Sequence, residues 1–318
     1  MAVGECPNQD INIDETLSGQ DILSWVNIAA LFVCLLVPAS YIPQLTRIAT
    51  SNQNGNSAIS GWYIILLTTS ATAHLATRLN CISSSEAWKC VRHDELDGLD
   101  AFSALVVYIQ PFLHWLSAIL LLCLYVAFRT KPPTRHEGGI GATTPSNSAI
   151  LAIVVTHAAI TLPLAFCLLH FMTGEDGPFN NPFVFVVHTY YELFLQTTGL
   201  LTSLTAFIPQ LHLILTRAHD SHHHFDQGTL STLSIALQVL AFTLLAASQG
   251  WRMRQRPWTP SENGATWIVP TQTWSLKWWV KVLFGGGRAA GWLGLAASQL
   301  IVLCVALAVG GDAGYIAL

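Results

Sequence analysis

The chain has 318 residues, of which 52% are hydrophobic and 10% charged, with a net charge of −4 and a mean hydropathy of +0.47. Soluble domains carry about a quarter charged residues, so this balance excludes an ordinary soluble fold and predicts an all-α polytopic membrane protein. The net charge decides little, because Lys and Arg placement in loops sets orientation, and no nucleic-acid partner is expected.

Residues 1–21 carry Glu5, Asp10, Asp14, Glu15 and Asp21 without Lys or Arg. That is unlike a secretory signal peptide and favours a lumenal acidic tail. The first apolar run, 22–45, is long enough to span and contains Asn27, Pro38 and Pro43-Gln44. The second, 58–76, holds Thr68, Thr69, Ser70, Thr72 and His74, small hydroxylated residues that allow close helix packing or line a polar path. An acidic loop, 78–100, follows and reads as lumenal. The third run, 101–128, has Gln110-Pro111 with His114 one turn later. The linker 129–148 places Arg129, Lys131 and Arg135 beside the membrane, which puts it in the cytosol. The fourth run is 149–172, with His157, Pro163 and His170. The fifth, 184–215, exceeds a perpendicular span and is expected to tilt or project. The sixth is 229–249 and the seventh 289–309, before a tail at 310–318. Between these two, 251–287 mixes Arg252, Arg254, Arg256, Lys277 and Lys281 with Trp258, Trp267, Trp274, Trp278 and Trp279, the composition of a segment lying on headgroups. An odd span count from a lumenal start puts this basic stretch in the lumen, against the usual charge bias.

Cys34, Cys123, Cys167 and Cys304 fall in apolar runs as small hydrophobes. Cys81 and Cys90 flank a loop read as lumenal, where a disulfide between them is an option and Cys6 a competitor.

One phrase occurs twice: Tyr41-Ile42-Pro43-Gln44-Leu45 returns as Phe207-Ile208-Pro209-Gln210-Leu211, 166 residues later. Each copy ends a spanning segment and precedes a Gly and Ser/Thr loop, Gly55-Asn56-Ser57 and Gly228-Thr229-Leu230-Ser231. Such spacing fits a duplicated half of a membrane protein. Proline removes a backbone donor, freeing the carbonyls of Ala39 and Thr205, and the adjacent Gln amide can supply another. Pro43, Gln44, Pro209 and Gln210 are therefore the hinge or gate candidates.

These two motifs, the Gly/Ser after each and the helix count resemble the PQ-loop repeat family. It includes cystinosin, vacuolar basic amino acid exporters and, at greater distance, the SWEET sugar facilitators. The resemblance covers most of the chain. It implies seven transmembrane helices as two three-helix bundles, 22–128 and 184–309, with 149–172 crossing between them and the amino terminus outside the cytosol. It also implies transport of a small polar solute, an amino acid ahead of a sugar, across a vacuolar, lysosome-like or other endomembrane, with the plasma membrane an alternative.

Glu192 is the acidic residue that falls inside a predicted span, an expensive placement that marks a functional candidate. His188 lies one turn earlier, and Gln196, Gly199, Ser203, Ala206 and Gln210 continue one face at steps of three or four. With Asn27, the residues His188, Glu192, Gln196 and Ser203 are the candidates for a substrate path or proton coupling, set against headgroup-level surface residues. The family's proton-driven carriers keep an aspartate nearer the Pro-Gln motif, where this chain has Ser203 and Thr205. His219, His222, His223 and His224 lack the fixed geometry of a metal site, and neither metal nor cofactor is expected. His74, His114, His157 and His170 are read singly as helix-contact histidines, and Trp62, Trp115, Trp251 and Trp292 as anchors or packing residues. No catalytic constellation is recognisable, so an enzyme is not expected. The rival readings are a seven-helix receptor or nutrient sensor without flux, and a trafficking or scaffold protein. The expected partners are a small solute, the bilayer and protons, with the oligomeric state open.

Overall fold

The computed structural model describes residues 25–50, 59–82, 98–128, 145–172, 182–220, 231–255 and 287–311. Every described element is helical: α1 (Trp25–Thr50), α2 (Gly61–Ile82), α3 (Gly98–Phe128), α4 (Asn147–Met172), α5 (Pro182–Thr205), α6 (Phe207–Asp220), α7 (Thr232–Gln255) and α8 (Gly287–Gly311). The α5–α6 run is interrupted only by a turn at Ala206, so it counts as one long apolar passage, Val186–Thr216. Among the described residues six passages are long and apolar enough to cross a membrane: α1, α3, α4, α5–α6, α7 and α8. The chain is an integral multi-pass membrane protein.

The surface reverses the usual soluble pattern. Phe32, Leu35, Ile160, Phe194, Leu233 and Leu293 are exposed, while Gln110, His114, Ser203, Gln210, Ser234 and Gln299 are buried. With apolar lipid outside, the helices associate through small and polar side chains facing inward.

Helix α2 shows this most strongly. It packs against α3, α4 and α5 and touches α6. From Tyr63 to Arg78 nearly every side chain is buried, including Thr68, Ser70, Thr72, His74, Thr77 and Arg78. At 22 residues it is long enough to span, but its polar content keeps it out of the apolar six. Protein rather than lipid surrounds it, so its hydroxyls need no apolar substitute. Thr72 and Thr77 donate to the carbonyls of Thr68 and Ala73 at 2.8 Å, satisfying themselves within the helix.

The packing order repeats. Helix α3 lies against both α1 and α2, and α8 lies against both α5 and α7; α1 meets α7, and α5 meets α2. The shared core draws on nearly every element, with Val37 and Tyr41 of α1, Ile64 and Leu67 of α2, Leu121 of α3, Ile150 of α4, Phe242 and Leu245 of α7, and Trp292 and Leu295 of α8. Most of α4 faces away from the protein, since only 22% of its apolar window is buried.

Several element ends differ from those the sequence predicts. Helix α1 continues through Pro43-Gln44 to Thr50, and α2 runs on to Ile82, taking Arg78 out of the expected loop and into a buried position. Helix α7 continues to Gln255, so Trp251, Arg252 and Arg254 belong to a helix. Hydropathy ends a run at its first polar residues, whereas backbone hydrogen bonding continues wherever those residues find partners.

The two prolines act differently. Pro43 sits inside an unbroken α1, as do Pro38 before it and Pro111 within α3. Pro209 sits in the first turn of α6, just beyond the break at Ala206. In α1 the Ser40 carbonyl, next to the one Pro43 frees, accepts the Ser234 hydroxyl of α7. An incoming hydroxyl on a carbonyl beside a proline is the compensation expected where water is excluded.

Candidate functional site

Two glutamine side chains join elements far apart in sequence. The Gln44 side-chain oxygen, on α1, accepts the backbone N–H of Ser231 at 2.9 Å, immediately before α7. The Gln210 side-chain oxygen, on α6, accepts the backbone N–H of Ser60 at 2.9 Å, immediately before α2. The first four N–H groups of a helix have no partner within it, and a capping box fills such a need with a Glu or Gln three residues into the same helix. At that position α2 has Tyr63 and α7 has Ser234. Each helix instead takes its acceptor from the Pro-Gln motif of the other repeat. The Ser231 hydroxyl accepts from Ser234 N–H at 3.2 Å and completes the cap of α7. The sequence assigns Gln the task of donating to its own helix; the group that reaches across is its oxygen.

At the opposite end the Arg78 guanidinium of α2 donates to the Gln249 oxygen of α7. On α5, Gln196 donates to a Glu192 carboxylate oxygen at 3.0 Å, and both are buried. Farther along α5, the Ser203 and Ser70 hydroxyls bond at 2.7 Å, and the Ser298 hydroxyl of α8 donates to the Ser203 carbonyl. Gly199 lies close to the His74 ring. The polar stripe Glu192, Gln196, Gly199, Ser203, Ala206 and Gln210 is thus wholly buried, with Gly199, Ser203 and Gln210 making close contacts to α2 or its N-terminal residue. His188, above it, is half-buried.

The centre holds an aromatic and imidazole cluster. The Trp292 ring lies 4.7 Å from His74 and 5.2 Å from His114, centroid to centroid. Phe242 meets His114 edge-on at 5.2 Å. The Tyr41 hydroxyl and His114 Nδ1 are hydrogen-bonded at 3.1 Å. His114 Nε2 and both ring nitrogens of His74 are buried with no hydrogen-bond partner among the described residues. So are the side-chain oxygens of Gln110, one turn before His114, and of Gln238, one turn before Phe242. Five helices, α1, α2, α3, α7 and α8, contribute to this cluster.

Other sequence candidates stay apart from it or lie outside the described residues. Asn27 is in α1, but its side chain is outside them, as are those of Cys81, His219 and the neighbouring histidines; Cys90 is outside altogether. Cys123 and Cys304 are exposed free thiols, and Cys34 is buried in α1. No group of three metal-binding side chains occurs among the described residues.

Comparison with family models, curated proteins and solved structures found no match. The motif repeat and its geometry are therefore the grounds on which function is argued. Sequence reasoning took His74, His114 and Trp292 one at a time, although Gln110 and His114 share an α3 face and Ser70, His74 and Arg78 an α2 face. Their convergence depends on helix order, which no single helix encodes.

Proposed function

We propose that the chain is a PQ-loop-type transporter that moves a small polar metabolite across an endomembrane. Its seven spans are α1 to α4, the α5–α6 run, α7 and α8. They form two three-helix bundles, α1–α3 and α5–α8, with α4 crossing between them. The observation that supports this reading is the reciprocal cap: Gln44 on Ser231 and Gln210 on Ser60. Equivalent residues of two repeats make equivalent bonds to each other's half, as expected of parallel repeats about an axis along the membrane normal. The caps close one end of the bundle interface, and Arg78 with Gln249 closes the other. Rocking the bundles breaks one set while the other holds, which is alternating access. Pro43, inside α1, and Pro209, in the first turn of α6, are the proposed hinge positions beside the Gln caps.

Uptake of a pooled, labelled amino acid and sugar set into liposomes carrying the purified protein tests this. Flux above that of empty liposomes is expected, and Pro43→Leu/Pro209→Leu slows it severalfold. Ligand binding without flux for any solute would establish the receptor instead.

Glu192 is the proposed proton-coupling group, buried on α5 and hydrogen-bonded by Gln196. Glu192→Gln is expected to retain binding and lose stimulation by an inward proton gradient. Normal transport with an unchanged pH profile would remove Glu192 from the mechanism.

A further inference from the structure

Arg78 and Glu192 are the two Lys, Arg, Asp or Glu side chains buried among the described residues. A charge is expensive to bury and is kept inside a span where a partner of opposite sign or a function holds it. Both stand where the two repeats differ. Arg78 and Gln249 each lie 18 residues beyond a capped serine, Ser60 and Ser231, so they are equivalent positions of the two halves. Taken back by the 166 residues that separate the Pro-Gln motifs, Glu192 falls on Val26. Each charge thus has an uncharged counterpart in the other half, and the two departures are of opposite sign. They also fall in one corner. Helices α2 and α5 run antiparallel along a seam pinned by Ser70 against Ser203 at 2.7 Å and by the His74 ring against Gly199. A further step of four residues on each helix brings Arg78 level with Leu195, and Glu192 follows within one turn, on the face of Gln196, Gly199 and Ser203.

We propose that Arg78 and Glu192 form a charge pair across this seam and that Arg78 links the protonation of Glu192 to the bond with Gln249. The inference rests on the reading of Glu192 as the proton-coupling group. A guanidinium carries five N–H donors in a fixed fork, so Arg78 can serve a carboxylate on α5 while it donates to the Gln249 oxygen of α7. With Glu192 ionised, the fork is held from the α5 side and aimed at α7. A proton on Glu192 removes the charge that holds it, and the long side chain then turns toward the lumenal surface and water. The bond to Gln249 opens, while the caps made by Gln44 and Gln210 at the other end are untouched. A neutral side chain at position 78, as at 249, would bond without responding to a proton. The other titratable side chains described on elements packed against α5 are His74 and Tyr63 of α2, His157 of α4, His212 of α6 and Cys304 of α8, with His188, Tyr190 and Tyr191 on α5 itself. None is a carboxylate, so Glu192 is the anion this set offers Arg78. His74, one turn from Arg78, would push on the guanidinium if it took a proton, and the test separates the two groups.

The test uses the purified full chain in detergent, with its thermal midpoint followed from about pH 8 to about pH 4, a range that brackets the ordinary titration of Glu and His. The pair contributes while Glu192 is ionised and is lost as pH falls, so the wild-type midpoint is expected to drop toward acid and that of Glu192→Gln to stay flatter. Arg78→Lys, which keeps the charge, should keep the drop. At the upper pH Arg78→Gln and Glu192→Gln each destabilise, since each strands the other member. Their double variant is expected to lose less than the sum, by about tenfold or more in the unfolding constant. Gln249→Leu should cost less in the Glu192→Gln background than in the wild type. Additive losses of Arg78→Gln and Glu192→Gln overturn the pair, and additive losses of Gln249→Leu and Glu192→Gln overturn its link to α7. An acid-dependent drop that survives in Glu192→Gln belongs to a histidine and overturns the proposal as well. If Arg78→Gln does not fold, recovery on adding Glu192→Gln supports the pair, and failure of the double variant overturns it. Non-additive losses without proton stimulation of uptake in liposomes would sink the coupling reading of Glu192 and leave the pair standing. Proton-stimulated uptake that depends on Glu192, with additive losses, would do the reverse.

Discussion

Gln44→Ala is expected to destabilise the protein by about 1–3 kcal/mol, because it strands the buried Ser231 N–H at the start of α7. Gln210→Ala should cost less, about 1 kcal/mol, since the Ser60 N–H it leaves is only partly buried and water can reach it. The order is the sharp part of the prediction: Gln44 before Gln210, although Gln210 is the more deeply buried side chain. Burial of the residue counts less than burial of the group it leaves behind. The two glutamines cap different helices, Gln44 at Ser231 and Gln210 at Ser60, so the double variant should lose the sum of the single losses. Gln44→Met fills the same space without an acceptor and should behave as Gln44→Ala does. Thermal unfolding in detergent measures all four, and a Met variant as stable as wild type would show that the cap contributes nothing. Because the caps bridge α1 to α7 and α6 to α2, the same losses should favour separation at this end. A change of about 1.4 kcal/mol shifts such an equilibrium tenfold.

How far the sequence carried is clearest at these two motifs. The repeated phrase and the six apolar passages were legible, because hydrophobic length is a local property. That Gln44 serves Ser231 was not, since the partner lies 187 residues away and only the meeting of α1 with α7 brings it near. Arg78 was misplaced for a related reason. A charge next to an acidic stretch reads as loop, and only the enclosure of α2 by α3, α4 and α5 explains how a guanidinium lies buried against Gln249. His74 and His114 were seen, but each was weighed as a single residue on its own helix. Their meaning comes from Trp292, which lies between them and is contributed by the last helix.

That last helix supplies the other large effect. Gly291→Val is expected to abolish stable folding, or to cost at least about 3 kcal/mol, the upper range for overpacking a tight core. A Cβ built on Gly291 would overlap His74 Nε2, and Gly199 faces the same ring from α5, with Cβ contacts of 3.1 and 3.2 Å. His74 has little room to yield. Its ring is buried between two glycines and packs against Trp292 at 4.7 Å, and any rotation carries it into α5 or the indole. Here glycine is required by closeness of approach and not by backbone conformation, so even alanine should be harmful. Gly291→Ala is expected to lose about 1–3 kcal/mol, and His74→Ala should recover part of that loss in the double variant although it is destabilising by itself. Such non-additivity is the signature of two residues competing for one space. Gly294→Ala, three residues on, meets only ordinary contacts of 3.4 to 3.5 Å with Leu200, Ser203 and Leu204 and should be tolerated. Equal losses at Gly291 and Gly294, or a double variant that simply adds, would mean that helix propensity and not the His74 slot decides the fate of this helix.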